Sequence, residues 1–370
     1  MATDKARAAT LFLGIDGRQT KTVAAIATEQ GEVLGVGVAG PANHVRQRCG
    51  EGRMRRAVIG AVRAAAHMAG LRKLHFASAY MAMTGGVELA RQVLLEIARC
   101  DRVKAEGDTP AALASVTLGK PGVVVIAGTG SVAFGIAISG RQGAPPIQDP
   151  EKRGPSGSLF EGQGRPEGVP IGVARTAVAG GWGYIMGDEG SAYRIALEAI
   201  RACTRAADGR AAQTALTDAI LEHFRARDLA HLHRLIYSGR ISRTRIAAAA
   251  AVVGSLGHED PEARAILARA GKELALAAAT VIKKLGLERK QVVVGLVGGV
   301  FKAGEPLLRP FRSELLRRAP RAQVQWPVLA PVLAAVLLAM REAGLRPGAR
   351  VIANLRGGTE VSRGQLTGDR

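Results

Sequence analysis

Aromatic residues are scarce in this chain. Phe, Trp and Tyr together make up 4% of its 370 residues, and only two are Trp. The core must therefore be built from Ala, Val, Leu and Ile. A nucleic-acid surface that stacks bases, with aromatic and basic side chains interleaved, is also disfavoured. Acidic residues are few, 31 against 51 Lys and Arg, which leaves a formal charge of +20. The basic residues are dispersed rather than run together. That pattern argues against nucleic acid as a partner and leaves a positive field suited to small anions. The three cysteines, Cys49, Cys100 and Cys203, lie far apart with no CxxC. They provide no disulfide framework and fit a reduced, cytoplasmic setting. No apolar signal-peptide core opens the chain, and the run Val328–Met340 is too short to span a bilayer and contains Pro331. There is no GxxxxGK[ST], which excludes a P-loop.

Glycine is plentiful, with 47 residues, and it marks out the organisation of the chain. Leu11–Ile15, Thr22–Thr28 and Val33–Val38 read as strands joined by tight turns. Helical character follows over Arg53–Met68, then an apolar run Phe76–Thr84, a helix over Val87–Arg99 and a short strand near Val103. A further helix, Thr109–Leu118, begins at Pro110. After Gly119-Lys120-Pro121-Gly122 the pattern restarts as strand Val123–Ile126, a Gly/Thr turn, and strand Val132–Ile138. This reads as an internal duplication. The expected division is a first domain over 1–118 and a second over 119–336, with a Gly/Pro-rich insertion at 139–173. A final helix at about 337–355 is expected to pack back on the first domain, and 357–370 to form a disordered tail.

Three glycine turns follow apolar strands. In Gly14–Thr22, successive backbone N–H groups around Gly17 make an anion nest. Thr20 adds a hydroxyl, Asp16 can hold Mg²⁺ directly or through water, and Lys21 points either to phosphate or to solvent. Gly128-Thr129-Gly130-Ser131 repeats the device in the second half, and the two nests suit the two sides of a triphosphate such as ATP. Gly298-Gly299, at a strand end, suits close approach of a base or ribose. The densest segment is Gly180–Ser191, with five glycines around Trp182 and a close in Asp188-Glu189. It reads either as a sugar site beside a phosphate site or as a Gly-rich loop with a buried Trp and a capped helix.

These blocks, in this order, resemble the N-acetylglucosamine kinase and BadF/BadG-type ATPase family of the actin–hexokinase superfamily, over roughly residues 11–345. The resemblance implies an α/β fold of two duplicated ribonuclease-H-like domains with ATP and Mg²⁺ in a cleft between them. It implies Asp16 beside Mg²⁺, with Gly17, Thr20, Lys21, Gly128, Thr129, Gly130 and Ser131 at the phosphates and Gly298 and Gly299 at the adenosine. It places Asn43, Gly181, Trp182 and Asp188 on the sugar, with Asp108 as catalytic base. Phosphoryl transfer to a hydroxyl needs a carboxylate at a strand end to accept the proton, which suits Asp108. The other reading makes Asp108 the N-cap before Pro110, and Asn43 a turn residue. Where the family usually has a second glycine, this chain has Arg18, which either contacts phosphate or crowds the loop.

The implied activity is ATP-dependent phosphorylation of an amino sugar, with N-acetylglucosamine going to its 6-phosphate, or glucosamine or N-acetylmuramate as substrate. A homodimer is the expected assembly. The alternatives are an ATPase that activates a partner enzyme, for which the lone cysteines offer no clear iron–sulfur ligand set, and a sugar- or nucleic-acid-binding regulator.

Overall fold

In the computed structural model, residues 9–42, 49–138 and 174–367 are described. The chain divides into two compact units: Met1–Pro121, Ala137–Arg175 and Pro327–Arg370 form one, and Gly122–Ile136 and Thr176–Trp326 the other.

The first unit is built on strands β1 (Leu11–Gly17), β2 (Thr22–Thr28), β3 (Val33–Ala39), β4 (Ser78–Met83) and β5 (Val103–Glu106), in the order β3-β2-β1-β4-β5. The first three form an antiparallel meander, and β4 and β5 add in parallel on the other edge. Every residue of β1, β2 and β4 is buried. That burial explains their near-continuous apolar sequences, because both faces of the sheet are covered.

One face is covered by helix Gly50–Met68, whose buried positions Met54, Ala57, Val58, Ala61, Val62 and Ala65 follow helical spacing. It crosses β3 at Gly35 and Gly37, where an added Cβ would lie 2.1 Å from a helix carbonyl oxygen. The other face is covered by helix Pro331–Glu342, which crosses β1 at Gly14, where a Cβ would lie 2.4 Å from the Val332 carbonyl oxygen. Small residues at both crossings let backbone meet backbone, and the few aromatics, Phe12, Phe76 and Tyr80 in this unit, are buried in the core.

The second unit repeats the plan with β6 (Gly122–Ala127), β7 (Ser131–Ile138), β8 (Ala174–Gly180), β9 (Val292–Val297) and β10 (Ala322–Gln325), in the order β8-β7-β6-β9-β10. The strand β6 pairs antiparallel with β7 and parallel with β9, and β9 pairs parallel with β10. The expected duplication of a ribonuclease-H-like sheet is therefore present, strand for strand. The long helix Pro261–Lys284 starts at Asp260, whose carboxylate caps Ala263 N–H at 2.8 Å and also takes bonds from Thr214 and Ala215. Among the described residues, no helix is long and apolar enough to cross a membrane.

The end of the chain departs from expectation. In place of one helix at about 337–355 there are two, Pro331–Glu342 and Ala349–Thr367, and the second occupies most of the tail expected to be disordered. Its packing explains the difference. Leu355 is fully buried, Asn354 donates to the Gln30 carbonyl at 2.8 Å, and Gly358 sits where a Cβ would lie 2.4 Å from a Val33 methyl. Of the Gly357-Gly358 pair that weakens helix propensity, Gly358 is therefore part of the packing against the β2–β3 hairpin. By packing, the chain returns to the first unit at Pro327, ahead of the expected boundary. The insertion expected at 139–173 lies outside the described residues.

Candidate active site

In the first unit, β1 delivers Asp16 and β5 leads to Asp108. The parallel register pairs Ala82 of β4 with Glu106 of β5, so the residues two places beyond them, Thr84 and Asp108, emerge side by side. Thr84 Oγ1 donates to Asp108 Oδ2 at 3.1 Å. Asp108 does occupy the N-cap position of helix Thr109–Thr117, but its side chain caps nothing. Pro110 at the helix start removes one N–H that a cap would serve. The carboxylate is thus left for another use, which favours the base reading over the capping one.

Asp16 is almost fully buried and is held by Arg18, whose Nε lies 3.0 Å from Oδ1 and 2.8 Å from Oδ2. Burial pushes the Asp108 carboxyl above the usual carboxylate range. Arg18 draws it back down, Asp16 pushes it up, and the Thr84 hydroxyl lowers it. Two carboxylates, one guanidinium and one hydroxyl therefore form a single electrostatic cluster. The turn that carries it is closed by the Arg18 N–H bonded to the Lys21 carbonyl at 2.9 Å. Gly17 lies close under Met83, whose methyl would have to shift from a Cβ placed 2.4 Å away. Thr20 is exposed at the turn tip and Lys21 is half-buried. Asn43 lies outside the described residues.

In the second unit, the turn Gly128–Ser131 and the segment Gly180–Ser191 form one piece. Asp188 is buried and accepts the Ser131 N–H at 3.1 Å. Ser131 Oγ donates to the Glu189 carbonyl at 2.7 Å, Gly181 N–H to the Ser131 carbonyl at 3.0 Å, and Ala192 N–H to the Gly128 carbonyl at 2.8 Å. Gly130 has no room for a side chain, because a Cβ would lie 2.9 Å from Asp188 Oδ1. Asp188 is held at a φ of 61°, a conformation few residues other than glycine adopt. Burial raises its carboxyl, while the Ser131 N–H and Arg243 pull it down.

Ser191 caps the following helix by accepting the Arg194 N–H, which leaves Asp188 free of that duty. Trp182 is not the buried residue of the plainer sequence reading: its side chain is half exposed, with Tyr184, Ile185 and Met186 exposed beside it. Arg243 lies over the Tyr184 ring, 4.8 Å from its centroid. Gly298 has a φ of 123°, and a Cβ there would lie 2.1 Å from the Ala127 carbonyl oxygen. The third glycine turn is therefore pressed against the start of the second.

A cavity of about 160 Å³ lies behind this piece, lined by Val132, Gly180, Glu189, Glu273, Leu274 and Ala277. It is smaller than a ligand pocket of roughly 300–1,000 Å³. Among the described residues, no group of three or more His, Cys, Asp or Glu is placed to hold a metal alone. A single buried carboxylate such as Asp16 does fit Mg²⁺, which takes most of its ligands from phosphate oxygens and water. Thr84 and Arg243 were not evident from sequence. Thr84 closes an apolar run before Gly85-Gly86, a strand end of the kind that carries such residues, whereas nothing local marks Arg243.

The sequence profile of the BadF/BadG/BcrA/BcrD ATPase family matches residues 13–144 and 169–339. A protein of Clostridium acetobutylicum named N-acetylmuramic acid/N-acetylglucosamine kinase is 31% identical over 209 residues, 56% of this chain and 64% of the relative. An N-acetyl-D-glucosamine kinase of Dictyostelium discoideum is 26% identical over 63% of this chain and 64% of its own length. The chain thus spans just under two thirds of the curated relatives it matches. A Chromobacterium violaceum protein with the provisional name N-acetylglucosamine kinase shares the fold, with a TM-score of 0.65 and 24% identity over 90% of this chain and 99% of that one. With two ribonuclease-H-like units, each carrying its glycine turn at a strand end, and a profile match over most of its length, the chain belongs to the BadF/BadG/BcrA/BcrD ATPase family.

Proposed function

We propose that this protein is an ATP-dependent kinase of an amino sugar, taking N-acetylglucosamine to its 6-phosphate, with glucosamine or N-acetylmuramate as the other candidate substrates. The observation that carries the reading is Asp108. It is a carboxylate just beyond the end of the edge strand β5, released from capping, held by Thr84 and raised above the usual carboxylate range by burial. The names of the two curated relatives support the same substrate class.

In this reading the sugar hydroxyl oxygen bonds to the γ-phosphorus, and the bond from that phosphorus to the β–γ bridging oxygen breaks. ADP leaves with the electron pair, and Asp108 accepts the hydroxyl proton. Asp16 would hold Mg²⁺, which supplies charge neutralisation at the phosphates. Gly17, Thr20 and Lys21 in the first unit, with Gly128–Ser131 in the second, would offer N–H, hydroxyl and ammonium donors to phosphate oxygens. Gly298 and Gly299 would lie against the adenosine. Gly181, the Trp182 face and the second oxygen of Asp188 would contact the sugar, together with Asn43. Assembly as a homodimer in the cytoplasm belongs to the same reading.

A coupled ADP-release assay with a panel of hexosamines tests it. Turnover stimulated by N-acetylglucosamine or N-acetylmuramate is expected. ADP release indifferent to every sugar would favour a partner-activating ATPase instead.

A further inference from the structure

Arg18 occupies a position in the first phosphate turn where the resembling family usually has glycine, and the structure gives it a defined place. Its backbone is fixed on both sides: the N–H bonds the Lys21 carbonyl at 2.9 Å, and its carbonyl accepts the Ala42 N–H at 3.2 Å. Its side chain is about one third exposed, with Nε committed to Asp16, itself only 8% exposed. Among the described residues, no acceptor is bonded to either Nη group. The guanidinium is also close enough to Asp108 to lower its carboxyl. A cation is therefore bonded to the carboxylate expected to face Mg²⁺ and also acts on the carboxylate expected to take the proton, with its planar fork unspent.

The charge balance gives that fork a task. Two carboxylates and one guanidinium leave a net negative cluster at a turn expected to receive a polyphosphate. Charge on the equatorial oxygens of the moving phosphoryl group must be met by fixed cations. A guanidinium offers parallel donors that match two such oxygens, which an ammonium cannot do. A Mg²⁺ ion taken up by Asp16 would remove the present partner of Nε and leave the whole head group to the phosphate.

We infer that Arg18 is a further catalytic residue, a guanidinium that reads and stabilises the γ-phosphoryl group of the nucleotide. The inference rests on the kinase reading, and the test separates the two. Wild type, Arg18→Ala and Arg18→Lys are titrated calorimetrically with Mg·ADP and with the Mg complex of the β,γ-imido analogue of ATP, and sugar-dependent turnover is measured alongside. Loss of a charged hydrogen bond to the γ-phosphoryl predicts that Arg18→Ala weakens the triphosphate analogue about tenfold or more while moving ADP less than about threefold. The turnover number should fall at least about thirtyfold with the sugar KM little changed, and Arg18→Lys should recover part of each.

Equal weakening of both nucleotides, or of neither, would overturn the assignment and leave Arg18 as a local partner of Asp16. If wild type shows no sugar-dependent turnover yet Arg18→Ala loses the preference for the triphosphate, the kinase reading fails and the Arg18 assignment stands. If turnover is present and the preference survives in both variants, the reverse holds.

Discussion

After β1 the chain turns through Gly17 and Arg18 and supplies its own carboxylate, Asp16, two residues from the arginine that holds it. After β6 the matching turn borrows its carboxylate from Asp188, 57 residues further along, and binds it through a backbone N–H. The same strand–turn–strand device is thus completed in two ways. In the first unit the acid is paired with a partly exposed side chain that can let go. In the second it is buried against backbone and shapes the loop itself. Acids of similar local appearance are therefore held differently: Asp16 and Asp108 by side chains, and Asp188 by a backbone N–H that ties two loops together.

The comparison is broken most easily at Asp108. Asp108→Asn should lower sugar-dependent turnover about 10³-fold, the scale of a lost general base. Because its surroundings raise the folded carboxyl, ionisation there costs stability at neutral pH, so the same variant should melt at or above the wild-type temperature. Next comes Gly298→Ala. A Cβ 2.1 Å from the Ala127 carbonyl, at a φ of 123°, should cost about 3 kcal/mol in denaturant unfolding.

Asp188→Ala should cost about 2 kcal/mol, because the Ser131 N–H loses its acceptor, whereas Asp188→Asn keeps a carbonyl oxygen and should lose much less. Equal losses in the two variants would mean that charge, not the hydrogen bond, holds the loop. The smallest effect is expected at Thr84. Its hydroxyl stabilises ionised Asp108, so Thr84→Val should move the acidic limb of the rate profile to higher pH. The sign follows from the base being active only when deprotonated. Turnover falls as pH drops through the raised carboxyl value, and removal of the donor raises that value further.

Much of the fold was legible in the sequence because burial on both faces writes itself as apolar runs. The strands Leu11–Gly17, Thr22–Thr28 and Gly122–Ala127 fall where those runs predict them. The helix Ala349–Thr367 was not legible, because its Gly357-Gly358 pair reads as disorder until Val33 is seen against Gly358. The candidate site divides in the same way. Glycine turns and Asp16 stand out at strand ends, whereas Asp108 stands out mainly through the family resemblance, since its position also suits a helix cap. The Thr84 contact needs the β4–β5 register, which no local pattern reveals. The role of Asp188 in holding Ser131 needs two segments far apart in sequence to fold together, and from sequence it shows only as an acid among glycines.

The central claim is that Asp108 takes the proton in a sugar-kinase reaction. It is tested most directly by sugar-stimulated ADP release at neutral pH from wild type and Asp108→Asn, with nucleotide binding measured on both. The account predicts stimulated turnover in wild type, and nearly none in the variant at unchanged nucleotide affinity. Sugar-dependent turnover retained within about tenfold in Asp108→Asn would contradict it.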